Sequence, residues 1–258
     1  MPTLFLRDIP HELLDSSSLT VPARFIYVSL WGSPGRSMRG LSAVTGYHHH
    51  AVKVHCDLLQ KAGWADMQRK RTGYVVFATI PREVQERLAT EFLAFLDTCA
   101  YVGESVTRAW RDVLVADHGF VDNFRPDFLR NPRTGQAMEY DMYEPQRRLA
   151  IEYNGPQHYG PTLMFPDPRE YQEQRTRDLV KQGLSAEHGI RLITIEARDL
   201  TLKGMLAKLD GLPLKRYDPS GPCIKMLEEV GSKLIRAAEK LDKEHAAAAA
   251  TTQRQNRP

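Results

Sequence analysis

Apolar residues recur at helical spacing through much of the first third of the chain. Residues 21–31 form an apolar-periodic stretch with proline in its first turn, which predicts a helix. A short helix is predicted at 39–45 and a third at 47–62. From 64 to 80 the pattern changes to a strand, a basic Arg-Thr-Gly turn and a strand rich in β-branched and aromatic residues, which is typical of a hairpin.

The rest of the chain predicts helices and strands in mixed order. Further helices are expected at 82–99, 104–117, 170–187, 199–209 and 223–244. Strands are expected at 138–143, 149–153 and 190–195. The helix at 170–187 carries Tyr171, Leu179, Val180 and Leu184 at helical spacing, and the alanine-rich, polar C-terminus should be disordered.

These elements predict an α/β (α+β) chain in several parts. The expected boundaries are 1–81 for an N-terminal module, 82–102 for a helical connector and 103–215 for an α/β core. Residues 216–258 are expected to be a C-terminal helix followed by the disordered tail.

Three helices followed by a β-hairpin resemble the winged helix-turn-helix family. That resemblance implies a third helix in the major groove of DNA and a hairpin wing against the phosphate backbone. The groove candidates are Tyr47, His48, His49, His50 and Lys53. The wing candidates for phosphate contacts are Arg69, Lys70 and Arg71. Since winged helices also mediate protein contacts, a protein partner remains an alternative for this module.

A pair of carboxylates carries the strongest chemical signal. If 149–154 is a strand, Glu152 and Asn154 project from the same face, and the tight turn before it lets Asp141 stand beside Glu152. Two neighbouring carboxylates repel each other unless a cation lies between them, and hard oxygen ligands favour Mg²⁺ or Mn²⁺. The alternatives are exposure at a sheet edge or a salt bridge from Glu152 to an arginine, with Arg147, Arg148 and Arg177 as candidates.

The surrounding motifs resemble the PD-(D/E)XK nuclease superfamily. They run from Arg125-Pro-Asp-Phe-Leu-Arg-Asn-Pro through Met138-Glu-Tyr-Asp-Met-Tyr to Ile151-Glu-Tyr-Asn-Gly-Pro-Gln-His-Tyr. They are most similar to the branch of very-short-patch-repair-like and homing endonucleases. The resemblance covers about 103–201 and implies a restriction-endonuclease-like core, with a central mixed sheet flanked by helices.

The same resemblance implies a metal site with defined ligands. Asp141 would be the central ligand and Glu152 the second, and the main-chain carbonyl of Tyr153 would complete the shell. Glu104 matches an acidic residue that this superfamily often adds on the preceding helix. The alternative for Glu104 is a first-turn carboxylate that interacts favourably with the helix dipole.

One position departs from the superfamily pattern. Asn154 stands where that pattern has lysine, and an amide supplies neither positive charge nor a base. Gln157, His158 and Lys181 are the candidates to take over this role, although His158 could equally be a loop histidine packed against a tyrosine. On the helix at 170–187, Arg175 and Lys181 could neutralise a phosphate. The alternative there is a solvated face with an Asp178–Lys181 pair.

Composition indicates the cellular compartment of the protein more than its reaction. The chain has 258 residues, 42% of them hydrophobic, and a formal net charge of +3, which is compatible with a polyanionic partner. Its three scattered cysteines are typical of a reducing compartment and form no zinc-ligand spacing. No apolar run approaches about 18 residues and no signal peptide is recognised, so a cytoplasmic protein without a membrane span is expected.

Together these patterns favour a Mg²⁺- or Mn²⁺-dependent DNA endonuclease that a winged helix anchors on duplex DNA. Two alternatives stay open at this stage. One is a DNA-binding or assembly protein that keeps the nuclease fold without activity, which Asn154 favours. The other is a ribonuclease or RNA-processing factor. A homodimer or a protein partner, the recognition sequence and the number of strands cut are also left open.

Overall fold

The structure is a computed structural model that describes residues 8–116, 119–155 and 168–255, except for the side chains of 168–171 and 245–255. About half of the chain is helical, and the strands form one antiparallel sheet and one mixed sheet. The chain is therefore a mixed α/β protein, as its periodicities predict.

The described helices follow the predicted order, except that the short first helix was not predicted. They are α1 Glu12–Asp15, α2 Val21–Leu30, α3 Met38–Thr45, α4 His49–Lys61, α5 Arg82–Leu96, α6 Val102–Leu114, α7 Pro168–Glu187, α8 Leu202–Lys208 and α9 Pro222–Gln255. The strands are β1 Arg36–Ser37, β2 Ala65–Lys70, β3 Gly73–Ala78, β4 Val121–Phe124, β5 Tyr140–Glu144, β6 Leu149–Asn154 and β7 Arg191–Glu196. Helix α9 continues past residue 244, so most of the stretch that was expected to be disordered is helical.

Side-chain caps define the helices of the N-terminal region. The hydroxyl of Thr20 accepts a hydrogen bond from the Ala23 amide and starts α2, and Ser37 does the same for α3 through the Gly40 amide. Helix α3 ends at Gly46, whose φ of 74° lies in the left-handed region. His48 is the N-cap of α4, since its Nδ1 atom contacts the His50 amide at 3.3 Å, so the helix begins two residues later than predicted.

The N-terminal sheet has the order β1–β3–β2, and all its pairs are antiparallel. Ile26, Tyr27, Leu41, Val52 and Leu59 are among the fully buried residues that helices α2 to α4 pack against it. The Tyr27 hydroxyl, although buried, donates a hydrogen bond to the carbonyl oxygen of Thr79 at 2.9 Å. This core fixes the face of α4 that carries Val52 and Leu59 and leaves the opposite face exposed.

The second sheet has the order β4–β5–β6–β7. Strands β4, β5 and β6 pair antiparallel, and β6 and β7 pair parallel with Ile151 opposite Ile193. Arg148, with a φ of 48°, lies in the tight turn between β5 and β6. Strand β4 was not predicted, because its four residues Val-Asp-Asn-Phe are too few and too polar to give a strand signal.

Helix α7 packs on this sheet through a narrow apolar stripe. Val180 and Leu184, one helical turn apart, pack against a cluster that includes Tyr140, Ala150 and Ile190. Leu179, one of the apolar residues at helical spacing, is 60% exposed. It directly precedes Val180 and therefore points about 100° away from the buried stripe.

The chain divides into two compact units that are discontinuous in sequence. Unit 1 comprises residues 1–100, 109–118 and 209–227, and unit 2 comprises 101–108, 119–208 and 228–258. Within unit 1, segments 109–118 and 209–227 pair with each other. Val115 forms a β-bridge with Leu214, and the Lys215 amide donates a hydrogen bond to the carbonyl of Leu114. The contiguous boundaries expected at 81, 102 and 215 do not coincide with these units.

None of the helices in the described ranges combines the length and the apolar character that crossing a membrane requires.

Candidate metal and phosphate site

Asp141 and Glu152 lie opposite each other on neighbouring antiparallel strands. The register pairs Met142 with Ile151, and the next position along is Asp141 against Glu152. The Asp141 amide donates to Glu152 Oε1 at 3.3 Å, and the Tyr153 amide donates to Asp141 Oδ2 at 2.7 Å. Each carboxylate is thus held by the backbone of the other strand, so the geometry of the pair depends on the hairpin itself.

Lys181 reaches the pair from helix α7. Its Nζ atom lies 2.7 Å from Glu152 Oε2 and 6.0 Å from the centre of the Tyr140 ring. The Ser185 hydroxyl, one turn further along α7, hydrogen-bonds the Tyr140 hydroxyl at 2.6 Å and holds the helix against the strand. The cation beside Glu152 is therefore a lysine from a helix that is distant in sequence.

The contact between Lys181 and Glu152 contradicts two alternatives from the sequence analysis. These are a salt bridge from Glu152 to an arginine and a pair between Asp178 and Lys181. Glu152 bonds Lys181, whereas Arg147 contacts Glu144 at 3.3 Å and Arg177 donates to Gln174 at 2.7 Å. The Asp178–Lys181 pair is likewise replaced, because Lys181 turns towards the sheet and Asp178 accepts from Gln174 at 3.2 Å.

Burial makes the ionised pair costly. Glu152 is 8% exposed, and this burial, together with the negative charge of Asp141, raises its pKa to about 8 despite the neighbouring Lys181. Burial also raises the pKa of Asp141, while the hydrogen bond from the Tyr153 amide and the charge of Lys181 act in the opposite direction. A further positive charge at this place would lower both pKa values and relieve the repulsion.

The raised pKa of Glu152 predicts a pH-dependent stability in metal-free buffer. Because the pKa rises from 4.5 to about 8, the carboxyl group stabilises the fold fully below the unfolded value and loses this contribution as the pH rises through the folded value. Glu152→Gln stays neutral, so it should gain stability relative to wild type between about pH 5 and about pH 8. At about 1.4 kcal/mol per pKa unit, the gain could reach about 4 kcal/mol.

Chemical denaturation in EDTA across this pH range measures the effect. Glu173→Gln, at an exposed position on α7, is the matched control and should keep a constant difference from wild type. A constant difference for Glu152→Gln as well would contradict the assigned burial of this carboxyl group.

Glu104 lies in the first turn of α6, and its carboxylate is bound by Arg108 of the same helix. Burial first and the charge of Asp141 second raise the pKa of Glu104 to about 6. Arg108 also donates to Asn123 Oδ1 at 2.7 Å and to the main-chain oxygen of Asp141 at 3.4 Å. Glu104 is therefore close enough for the charge of Asp141 to raise its pKa, but its carboxylate is already paired with Arg108.

Sequence reasoning missed Arg108 and the residues of β4 around it. The available signal was the Glu104–Arg108 spacing of four residues, which places both side chains on one side of a helix. Their neighbours Asp122 and Asn123 gave no signal, because the strand that carries them was not predicted.

The other proposed ligand positions fall at the end of β6. The ring of Tyr153 packs so closely on α6 that a methyl group at Gly103 would overlap it. Asn154 is half-buried and pairs with Glu196 of β7. Arg175 is exposed on α7. Gln157 and His158 lie outside the described residues.

The donor set suits a hard divalent cation, although it is small. It consists of the carboxylates of Asp141 and Glu152, and the main-chain carbonyl of Tyr153 is expected beside them from the family resemblance. All three are oxygen ligands of the kind that Mg²⁺ and Mn²⁺ prefer. In the part of the chain that the structure describes, no group of three or more His, Cys, Asp or Glu side chains converges as a metal site. Two carboxylates and a carbonyl fit a cation that keeps several waters, which is usual for Mg²⁺.

The nucleic-acid candidates of the N-terminal region fall into two groups. His48, His49 and His50 are exposed at the start of α4. Tyr47 is half-buried against Phe25, with 6.2 Å between ring centres, and Lys53 is paired with Asp57 at 2.6 Å. The second group, at the tip of the β2–β3 hairpin, comprises Arg69, Lys70 and Arg71, all exposed.

Comparison with known proteins finds partial matches to uncharacterized viral proteins. The chain is 42% identical over 72 residues to uncharacterized protein 033L of Invertebrate iridescent virus 3, covering 28% of this chain and 37% of that protein. It is 36% identical over 77 residues to uncharacterized protein 307L of Invertebrate iridescent virus 6, covering 28% and 39%. It is 35% identical over 90 residues to uncharacterized protein 094L of Frog virus 3, covering 34% and 58%.

The chain thus spans less than two thirds of the length of each of these relatives. No protein-family model and no solved structure matches it. The chemical interpretation of the site therefore depends on the geometry of its own side chains.

Proposed function

We propose that the chain is a metal-dependent endonuclease that hydrolyses DNA phosphodiester bonds. Asp141, Glu152 and the Tyr153 carbonyl would hold Mg²⁺ or Mn²⁺. The observation that carries this proposal is the reciprocal hydrogen bonding of two buried carboxylates across β5 and β6, with Lys181 beside them. A structural ion pair needs one carboxylate and one cation, whereas this arrangement holds a second buried carboxylate that a divalent cation would balance.

The residues of the site orient the two carboxylates that would bind the cation. When bound, the divalent cation supplies Lewis acidity and lowers the pKa of a coordinated water. The Tyr153 amide fixes the orientation of Asp141, and the Asp141 amide and Lys181 together fix that of Glu152. Preorganised ligands of this kind need no rearrangement when charge develops on the phosphate.

Lys181 is the residue that we assign to the role left open by Asn154. Its ammonium lies beside Glu152, is largely shielded from water, and comes from a helix rather than from β6. A positive charge at this place attracts a phosphate and stabilises the charge that builds on it during hydrolysis. The amide of Asn154, at the end of β6, would then serve only as a hydrogen-bonding group.

The N-terminal module supplies the second half of the proposal, anchoring on duplex DNA. Its element order from α2 to β3 is helix, strand, helix, helix, strand, strand, with β1 joining the hairpin in one sheet. This order supports a winged helix, with α4 as the groove helix and the β2–β3 hairpin as the wing. The exposed histidines at the start of α4 and the exposed basic tip of the hairpin support this assignment.

A second candidate function is DNA binding without cleavage, which the amide at Asn154 favours. An assembly or regulatory protein could keep the two carboxyl groups without binding a metal ion. It would bind duplex DNA equally well in EDTA and in Mg²⁺.

Cleavage assays with the full chain test the proposal. Supercoiled plasmid, duplex oligonucleotide and RNA are incubated with Mg²⁺, Mn²⁺ or EDTA. We expect DNA products with either cation and none in EDTA. Binding without products would favour the second candidate, and preferential cutting of RNA would replace DNA as the substrate.

A further inference from the structure

Arg108 lies inside a nest of oxygen atoms that is separate from the contacts of Lys181. Its guanidinium binds the carboxylate of Glu104, the amide oxygen of Asn123 and the main-chain oxygen of Asp141, and its Nε atom lies 3.9 Å from Asp122 Oδ1. These oxygen atoms come from α6, β4 and β5. Carboxylate, amide and carbonyl oxygens are the donor set that otherwise binds a hard divalent cation.

The fit of the guanidinium to this nest is incomplete. The side chain of Arg108 is 18% exposed, yet its Nε atom is buried with no hydrogen-bond partner within the described residues. Its position is therefore explained by the negative charge around it more than by a full set of hydrogen bonds.

The formal charges around Arg108 and Lys181 are balanced by one divalent cation. Burial raises the pKa of the carboxyl groups here, but a bound cation would hold them ionised. Four largely buried carboxyl groups lie around Arg108 and Lys181, those of Glu104, Asp122, Asp141 and Glu152. Two cations, Arg108 and Lys181, lie among them. The remaining double negative charge is neutralised by a single divalent ion, whereas a second ion would leave the site positive.

We propose that Arg108 is the resident cation of this nest and limits the site to one divalent ion. The ion binds at Asp141 and Glu152, while Glu104 is the partner of Arg108 and not a metal ligand. Arg108 thus takes the place that a second metal has in two-metal nucleases, and it acts as a positioning residue that ties α6 and β4 to the Asp141 strand. This inference rests on the proposed metal site.

Counting bound Mn²⁺ tests the proposal. The metal-free full chain is titrated with MnCl₂ by calorimetry, and free Mn²⁺ is followed by electron paramagnetic resonance. Wild type and Arg108→Lys should bind one ion per chain, since both keep a cation in the nest. Arg108→Gln should bind two, and the double variant Arg108→Gln/Glu104→Gln should return to one.

Arg125→Gln is the matched control for the loss of an arginine. Arg125 pairs with Glu139 at 2.8 Å and is 63% exposed, so its replacement removes the same charge outside the nest. It should keep one ion per chain. Circular dichroism monitors the folding of every variant.

The possible outcomes separate this inference from the proposed function. A wild type that binds no Mn²⁺ would defeat the proposed function itself. Two ions in wild type, or one ion in a folded Arg108→Gln, would overturn only the role of Arg108. If Arg108→Gln does not fold, Glu104→Gln decides. We expect it to keep one ion, and a weakening beyond about 100-fold, the upper limit for loss of a ligand-orienting partner, would overturn the proposal.

Discussion

Asp141→Asn should reduce metal-dependent DNA cleavage by at least about 1,000-fold while duplex binding stays unchanged. Asparagine keeps the size of the side chain and an oxygen for the Tyr153 amide, but it removes the negative charge that binds the cation. A bound metal contributes several kcal/mol of transition-state stabilisation, and each 1.4 kcal/mol corresponds to a factor of ten in rate. Initial rates of plasmid cleavage under saturating Mg²⁺ measure the loss.

Asp127→Asn is the matched control for this substitution. Asp127 is exposed in the segment between β4 and β5, so the same change there should leave the rate within about twofold of wild type, as expected for a surface substitution of about 0.5 kcal/mol or less. Substantial cleavage by Asp141→Asn at saturating Mg²⁺ would mean that the reaction does not pass through this pair. Equal loss in both variants would point to a general charge effect.

Replacing the wing residues Arg69, Lys70 and Arg71 together by glutamine should weaken duplex binding by roughly 100-fold near 0.15 M salt. All three are exposed at the tip of the β2–β3 hairpin, where they would neutralise phosphates and release counterions. Each lost phosphate contact lowers the slope of log affinity against log salt by about 0.9, so the slope should fall by roughly 3. Fluorescence anisotropy with a labelled duplex over a salt series measures both quantities.

A triple replacement on helix α9 controls for the change in net charge. Lys233, Arg236 and Lys240 are exposed there, and their replacement by glutamine removes the same three charges. We expect the salt slope of this control to match that of wild type. If the control loses as much affinity as the wing variant, DNA binding reflects the overall charge and the winged-helix assignment fails.

Local patterns were sufficient to predict most of the elements. Period-3.6 and period-2 spacing located α2 to α4 and the β2–β3 hairpin within a few residues. The same reasoning placed Asp141 near Glu152, because a tight turn and strand alternation determine which positions oppose each other in a hairpin. These predictions concern residues that are close in sequence, where geometry follows directly from spacing.

The contacts that complete the site depend on tertiary packing. Lys181 was one of three candidates for the missing positive charge, and only the packing of α7 on the sheet brings it to Glu152 across 29 residues. Arg108 was not predicted as a site residue, because its partners Asp122 and Asn123 lie on strand β4, which was not predicted either. The discontinuous units also depend on tertiary packing, because the pairing of Val115 with Leu214 joins segments about 100 residues apart in sequence.

Crystals of the full chain soaked in MnCl₂ test the central claim most directly, through the anomalous signal of manganese. The account predicts one peak per chain, within about 2.5 Å of a carboxylate oxygen of Asp141 and of Glu152. Soaked crystals with no peak at this pair, or with the manganese bound elsewhere, would contradict it.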